Sequence, residues 1–553
     1  MNTFLSELEK QPTGRTENGA LAYSTTSSAL LDYFSNLNNF YRDYEEVAAD
    51  LDNCWAEDPL NTLRTIVYCR AITRSKTKFK LLFSDIELVL PTKGAGLKNE
   101  GRLGLRWLYL KHRLTFLNNI SSIISVGCFS DLWHRDFVDA WVEAEDKEIA
   151  YFIALSLKND LSLKFLPRYK SSSNIARKAK SIETIKFHKT RNKGLRLVLE
   201  QVSNISVGKI STMKGLMKLK SSGKAHQWQQ KITEGNFESI NFNNLPGKVL
   251  GWITNEDSNG ESFLARHGLE EKYIKWLDSK ETLNTTSFLH EIAKPVISKA
   301  SYGNSINKIT TYTVNKQVAT ILNRVGKSNL NVMPVIDTSG SMTCEVHNST
   351  TALDICLSLG VYFSMKQNGS FKDSIISFNS TSKFKKLEGS YVDRLEDILR
   401  DPDYMGSTNF QSVIDLIVRT RKSNPSIPIE EYPDVYLVIS DMQFNPTGLY
   451  NADDMENTNH ERALQKLDAV GLPRPLFIWY NVSPYGNNNF QNHKDDKGVL
   501  HMSGFDTAAI ERLMSEDFTL AFEEESGKSI KEITPYEAYM NTIEQDYLEL
   551  FNV

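Results

Sequence analysis

Leu330-Asn-Val-Met-Pro-Val-Ile336, followed at once by Asp337-Thr-Ser339-Gly-Ser341, decides how this chain is read. The apolar run has the character of a buried strand, which puts the aspartate and both serines in the loop leaving its carboxyl end. Open parallel sheets form their ligand sites at those ends. One carboxylate and two hydroxyls on alternate residues offer three hard oxygens to a single point. Magnesium asks for a partial shell of this kind, with the other positions left to water or a ligand. Asp- and Ser-rich loops are also common turns, so five residues alone do not decide the chemistry.

Two further stretches add to it. Gly406-Ser-Thr408 precedes a helical pattern over 410–421, placing the Thr408 hydroxyl in a second loop. Val435-Tyr-Leu-Val-Ile-Ser440 reads as another buried strand, with Asp441 where it ends. Around these, the periodicity predicts helices over 352–365, 392–399, near 461–469, 508–514 and 536–551. Strands are expected over 374–378, 383–387, 476–481 and 499–503. Strands alternating with helices imply crossover units and a doubly wound, mostly parallel sheet, an α/β domain over residues 326–553.

The order Asp-x-Ser-x-Ser, Thr, Asp at strand ends resembles the metal-ion-dependent adhesion site (MIDAS) of von Willebrand factor A domains. The resemblance implies a divalent cation, Mg2+ or Mn2+, held by Asp337, Ser339, Ser341, Thr408 and Asp441, directly or through water. It also implies an open coordination position that accepts an Asp or Glu carboxylate from a protein partner. The plain alternative makes Asp337 and Asp441 ordinary turn or cap acids.

Bulk properties frame the rest. A chain of 553 residues exceeds a single core, so two or more domains are expected. Hydrophobic content of 40% and charged content of 24% are ordinary for soluble proteins. No apolar run approaches membrane-spanning length, and the acidic start Met1-Asn-Thr-Phe-Leu-Ser-Glu-Leu-Glu-Lys does not read as a signal peptide. Five cysteines without CxxC spacing read as thiols in a reducing compartment, so a cytoplasmic location and no membrane association are expected.

Residues 1–325 have another character. Helical periodicity dominates over 61–73, 102–115, 136–144, 148–156, 195–202 and 269–277, which predicts an all-α helical-repeat (HEAT-like) module. Its charge is uneven. Between Arg168 and Arg196 stand ten Lys or Arg and one acid, Glu183, while the whole chain carries a net charge of −4. A concentrated basic face attracts phosphate and gains from counterion release, which makes Arg168, Lys170, Arg177, Lys178, Lys180, Lys186, His188, Lys189, Arg191 and Lys193 candidate RNA contacts. Interleaved Tyr169, Phe187 and Trp228 are candidates for base stacking. A solvated face, or one pairing with acids such as Glu523–Glu525, fits the charge equally well.

A helical module ahead of an A domain resembles the Ro ribonucleoprotein family, whose N-terminal module is called TROVE. Three strings carry the likeness: Pro59-Leu-Asn-Thr-Leu-Arg-Thr-Ile-Val-Tyr-Cys-Arg70, Val126-Gly-Cys-Phe-Ser-Asp-Leu132 and Leu163-Lys-Phe-Leu-Pro-Arg168. A less characterised family of plant, fungal and viral proteins shares the layout. Phe165 stands where the Ro family has Trp, and Met442-Gln-Phe444 follows Asp441 where that family has Asn-Glu. The resemblance implies a closed helical ring and a monomeric scaffold for single-stranded or small structured RNA.

Enzyme signatures are lacking. His290-Glu-Ile-Ala-Lys294 stops short of a second metal-ligating His, Gly94-Ala-Gly96 lacks its third glycine, and Ser339 belongs to no Gly-x-Ser-x-Gly elbow. The expectation is a non-enzymatic RNA-binding scaffold. Two alternatives stand beside it: a protein–protein adaptor with no RNA role, and a divalent-dependent nuclease.

Overall fold

A computed structural model describes residues 13–37, 42–80, 87–157, 160–178, 181–205, 210–222, 227–257, 259–283, 285, 287–301, 303–323, 330–347, 349–367, 370–401, 406–447, 457–484, 489–505 and 507–553. Twelve strands occur among them: β1 (Thr13–Arg15), β2 (Leu21–Tyr23), β3 (Arg74–Lys80), β4 (Glu87–Thr92), β5 (Val332–Asp337), β6 (Glu345–His347), β7 (Thr350–Thr351), β8 (Ser374–Phe378), β9 (Ser382–Lys386), β10 (Val435–Ser440), β11 (Leu476–Asn481) and β12 (Val499–Ser503).

Six of these build one sheet in the order β12-β11-β10-β5-β8-β9. All neighbours are parallel except β9, which runs antiparallel to β8 at the edge. β5, β10 and β11 are buried along their whole length, as strands covered on both faces must be. Alternate side chains serve the two faces. On one face Met333, Val335, Phe378, Tyr436, Val438, Phe477 and Trp479 join Phe410, Val413 and Ile414 of the following helix in one apolar core. On the other lies helix Ala352–Lys366, buried from Ala352 to Ser364. It lies close against the sheet because Gly360 lacks a side chain: a Cβ there would stand 2.3 Å from Ile336 Cγ2.

The chain divides into two compact units, and the division differs from the expected boundary at 325/326. One unit gathers residues 1–43, 52–61 and 245–545, the other 44–51, 62–244 and 546–553. Residues 245–325 group with the sheet for a physical reason. Helix Leu289–Ala300 turns Leu289, Ile292, Ala293, Val296 and Ile297 inward, and its neighbours are helices Ala352–Lys366 and Tyr391–Leu399. The N-terminal stretch also joins this unit, where the β1–β2 hairpin puts Ala20 into the sheet's core.

The second unit is mainly helical, with helices Lys98–Lys111, Arg113–Val126 and Ile182–Asn204 as its longest complete ones among the described residues. It is not all-α. β3 and β4 pair antiparallel, with Thr77 and Thr92 hydroxyls 3.1 Å apart between them. The β3 sequence, Arg-Ser-Lys-Thr-Lys-Phe-Lys, carries no strand signal of its own, because it alternates Lys with small or apolar residues and has no hydrophobic run. Trp107, Trp133 and Trp141 are buried, as expected of core residues, whereas Trp55 is partly exposed. Asp131 is held between Arg70 (2.7 Å) and Arg102 (2.8 Å), so the buried charges are paired. The final helix is shorter than expected, Pro535–Ile543, and starts at a Thr534–Glu537 capping box.

Candidate functional site

β5 and β10 are adjacent, yet the chain reaches β10 only after leaving β5 toward β8 and β9 on the other side. The two therefore flank the topological switch point, where an open sheet leaves a crevice at its carboxyl edge. Parallel register pairs Ile336 with Ile439, which brings Asp337 beside Ser440 and aligns Asp441 just beyond.

Asp337 is wholly buried and Asp441 nearly so, at 0% and 3% exposure. The Asp337 carboxylate accepts from the Ser339 N–H at 2.9 Å and from the Ser440 hydroxyl at 2.6 Å. The Ser339 and Ser341 hydroxyls lie 3.2 Å apart. Ser341, exposed at the rim, bonds in turn to Asp441. Asp441 also accepts from the Gln443 N–H at 3.1 Å. Between them Met442 takes a left-handed backbone, φ +62°, which is uncommon for a side chain of its size and turns the loop back over the carboxylate. Thr408 is buried in the loop that spans both walls: Gly340 N–H donates to the Gly406 carbonyl at 3.0 Å, and Asn445 N–H to the Thr408 carbonyl at 2.9 Å.

Electrostatics follow from this burial. Loss of water, then the charge of Asp441, pushes the Asp337 carboxyl up to about 7. Burial likewise raises Asp441, Glu17 adds to the rise, and the bonds from Ser341 and Gln443 partly oppose it. Among the described residues neither acid is ion-paired with a Lys or Arg. Two carboxylates with the Ser339 and Ser341 hydroxyls beside them are hard-oxygen groups, a chemistry that fits Mg2+ or Mn2+ and not a soft metal. Among the described residues, no three of His, Cys, Asp and Glu cluster as a metal site, so hydroxyls and water would have to fill the rest of the shell.

Three residues around this pair were not singled out from sequence. Ser440 was legible in principle, because parallel pairing of two buried strands ending in Asp337 and Asp441 sets it beside Asp337. Gln443 bonds Asp441 through its N–H, while its side chain accepts from the Glu17 N–H at 2.8 Å. Glu17 itself comes from the β1–β2 turn, and no local pattern connects it to residues more than 400 positions away.

The basic candidates are placed unevenly. Helix Ile182–Asn204 lies against the Trp141 wall. Gly194 permits that approach, since a Cβ there would stand 2.9 Å from Val142 Cγ2 and 3.0 Å from Trp141. Lys186, Lys189, Lys193 and Arg196 are exposed, and their spacing puts them on one helix face. Lys193 pairs with Glu145 at 2.8 Å. Arg191 points inward: its guanidinium donates to the Trp133 carbonyl at 2.9 and 2.7 Å and lies over the Phe187 ring at 4.1 Å. Burial lowers its pKa to about 10. His188 Nε2 lies 2.8 Å from Lys170 Nζ, and burial first, then Lys170 and Arg191, lower the imidazole. Arg168 is exposed. Lys180 and the side chains of Arg177 and Lys178 lie outside the described residues.

Two family profiles and one curated sequence resemble this chain. Residues 331–546 match the profile of a domain of unknown function, DUF7788, and residues 16–86 match another, DUF2828. "Uncharacterized protein L728" of Acanthamoeba polyphaga mimivirus is 23% identical over 528 residues, covering 91% of this chain and 84% of the viral protein. Among solved structures, the Deinococcus radiodurans RO (RSR) protein superposes over 75% of this chain and 86% of its own. The identity is 12% and the TM-score 0.37, too loose a fit to carry inference. No helix among the described residues is long and apolar enough to cross a membrane.

Proposed function

We propose that this protein is an RNA-binding scaffold whose sheet unit holds a divalent cation for docking a carboxylate-bearing protein partner. The observation that carries the docking half is the buried pair Asp337/Asp441, with hydroxyl neighbours and no Lys or Arg ion-paired to it among the described residues. Burying two acids without a positive partner costs several kcal/mol per ion unless a proton or a cation compensates. Asp337, Ser339, Ser341, Thr408 and Asp441 would hold Mg2+ or Mn2+, which would supply a Lewis-acidic position for an incoming carboxylate. The strand order, the antiparallel edge strand and the site at the switch point support a von Willebrand A-type domain.

The RNA half rests on the exposed face of Lys186, Lys189 and Arg196. Phosphate neutralisation by such a face makes binding fall with salt, with a log–log slope of about 0.7 per phosphate on single strands. Filter binding of labelled single-stranded RNA tests it. Lys186→Glu, Lys189→Glu and Arg196→Glu together should weaken binding at least tenfold at moderate salt and flatten the salt slope by about 2. Unchanged binding would refute the RNA half and leave an adaptor. Magnesium-dependent cleavage that vanishes in Asp337→Asn would replace the scaffold with a nuclease. The five cysteines form no disulfide with one another, which supports a reducing, cytoplasmic setting.

A further inference from the structure

The β1–β2 hairpin is tied to the loop that follows Asp441. Thr16 Oγ1 donates to the Phe444 carbonyl at 2.7 Å, the Glu17 N–H to Gln443 Oε1 at 2.8 Å, and Asn18 Nδ2 to the Gln443 carbonyl. Ala20 is sunk in the sheet core, and Tyr23 exchanges backbone bonds with Phe490 at 2.8 and 3.0 Å. This is a fixed attachment, with its tip at the carboxyl edge of the sheet. Gln443 bridges the two acids, since it bonds the Asp441 carboxylate through its own N–H and the Glu17 backbone through its side chain.

The Glu17 side chain is exposed and has no hydrogen bond or ion pair among the described residues. Its turn is bonded to Gln443 and Phe444, two and three residues beyond Asp441. A turn position facing water tolerates Ser, Asn or Lys equally well on steric grounds. A third negative charge beside two buried ones only adds repulsion while no cation is present. Once a divalent ion sits on Asp337 and Asp441, the same carboxylate is a hard anionic group carried on a turn bonded to the loop that holds Asp441.

We propose that Glu17 is this chain's own carboxylate for the cation site: the hairpin presents it to the bound ion, and a partner's carboxylate docks by displacing it. The proposal rests on the cation reading above and deepens it. The site would then be self-capped at rest, and partner affinity would be lowered by competition with a tethered ligand. In the structure Glu17 is not clustered with the two aspartates, so its approach requires rotation of its unencumbered side chain or a bridging water.

Mn2+ titration of the full chain, followed by the electron paramagnetic resonance signal of free Mn2+ and by calorimetry, tests this with three proteins. Wild type is expected to bind one Mn2+. Glu17→Ala should bind it about tenfold more weakly, with melting of the metal-free protein unchanged. Acetate at tens of millimolar should restore most of that loss in Glu17→Ala and do nothing for wild type. Asp337→Asn should not bind. Equal affinity in Glu17→Ala and wild type, with Asp337→Asn inert, overturns the role of Glu17 and leaves the cation site standing. A loss in Glu17→Ala that acetate does not restore overturns it as well, because the residue would then act through the turn. No binding to wild type removes the cation reading and this inference together.

Discussion

Asp337→Asn separates a cation site from a merely structural acid. The amide preserves the shape and both contacts of the carboxylate. Its oxygen can accept from the Ser339 N–H, and its NH2 can donate to Ser440 Oγ, which now donates to Asp337 at 2.6 Å. Exchanging a charged for a neutral hydrogen bond loses about 1 kcal/mol. Removing one of two buried like charges recovers several kcal/mol of desolvation and repulsion. The metal-free variant should therefore melt no lower than wild type, and on the order of 2 kcal/mol of added stability is expected. Magnesium at a hundred times its dissociation constant stabilises wild type by about 2.7 kcal/mol. For a unit of this size that is roughly 3–5 °C in melting temperature, and the variant should show none of it. Differential scanning fluorimetry with and without magnesium, with calcium and sodium as controls, reads both quantities. A variant that keeps the magnesium shift refutes the cation site. A metal-free variant that melts many degrees lower shows Asp337 to be a structural anchor.

Two further outcomes follow from the packing. His460 and His501 are buried, and burial lowers each to about 3, so both are neutral in the folded state. A depressed histidine contributes no penalty above its unfolded pKa near 6.5 and costs stability as pH falls from there toward 3. At pH 5 each costs about 2 kcal/mol relative to pH 7. Urea midpoints at the two pH values should show the loss, and His460→Gln should remove part of the pH dependence without changing its direction. Arg191→Ala should destabilise the helical unit by about 2 kcal/mol, through its lost bonds to Trp133 and contact with Phe187, and weaken RNA binding less than Lys186→Glu does. Denaturant midpoints and filter binding on the same preparations test that ordering.

The sheet was the most legible part of the chain. β8, β10, β11 and β12 have the spans expected from sequence, because continuous apolar runs between turns leave little freedom in where a buried strand starts and stops. Asp337 and Asp441 were legible as strand-end acids for the same reason. Arg191 shows where one-dimensional charge counting failed. It sits in a basic run with Lys189 and Lys193, yet helical rotation turns it toward Trp133 while those lysines face water. β3 was lost to its own composition, since alternating lysines mimic a solvated segment until an antiparallel partner is known.

Glu17 marks a deeper limit, and it bears on how the site works. Its link to Asp441 runs through one glutamine and two hydrogen bonds across more than 400 residues. Periodicity and motif spacing describe what neighbours in sequence do, and neither contains that link. From Asp337, Ser339, Ser341, Thr408 and Asp441 alone, the site reads as open, with its last position waiting for another molecule. With the hairpin in place, a carboxylate of the same chain is tethered to the loop that holds Asp441 and, on the capping proposal, competes for the bound cation. A tethered ligand is present at an effective concentration set by its anchor, commonly millimolar, so an external carboxylate must bring contacts beyond the metal to win. A short acidic peptide should then bind wild type poorly and Glu17→Ala better. A genuine partner should lose less by the presence of Glu17, because it gains surface elsewhere. Equal peptide affinity for both proteins, in the presence of saturating Mn2+, would mean that the site is not capped.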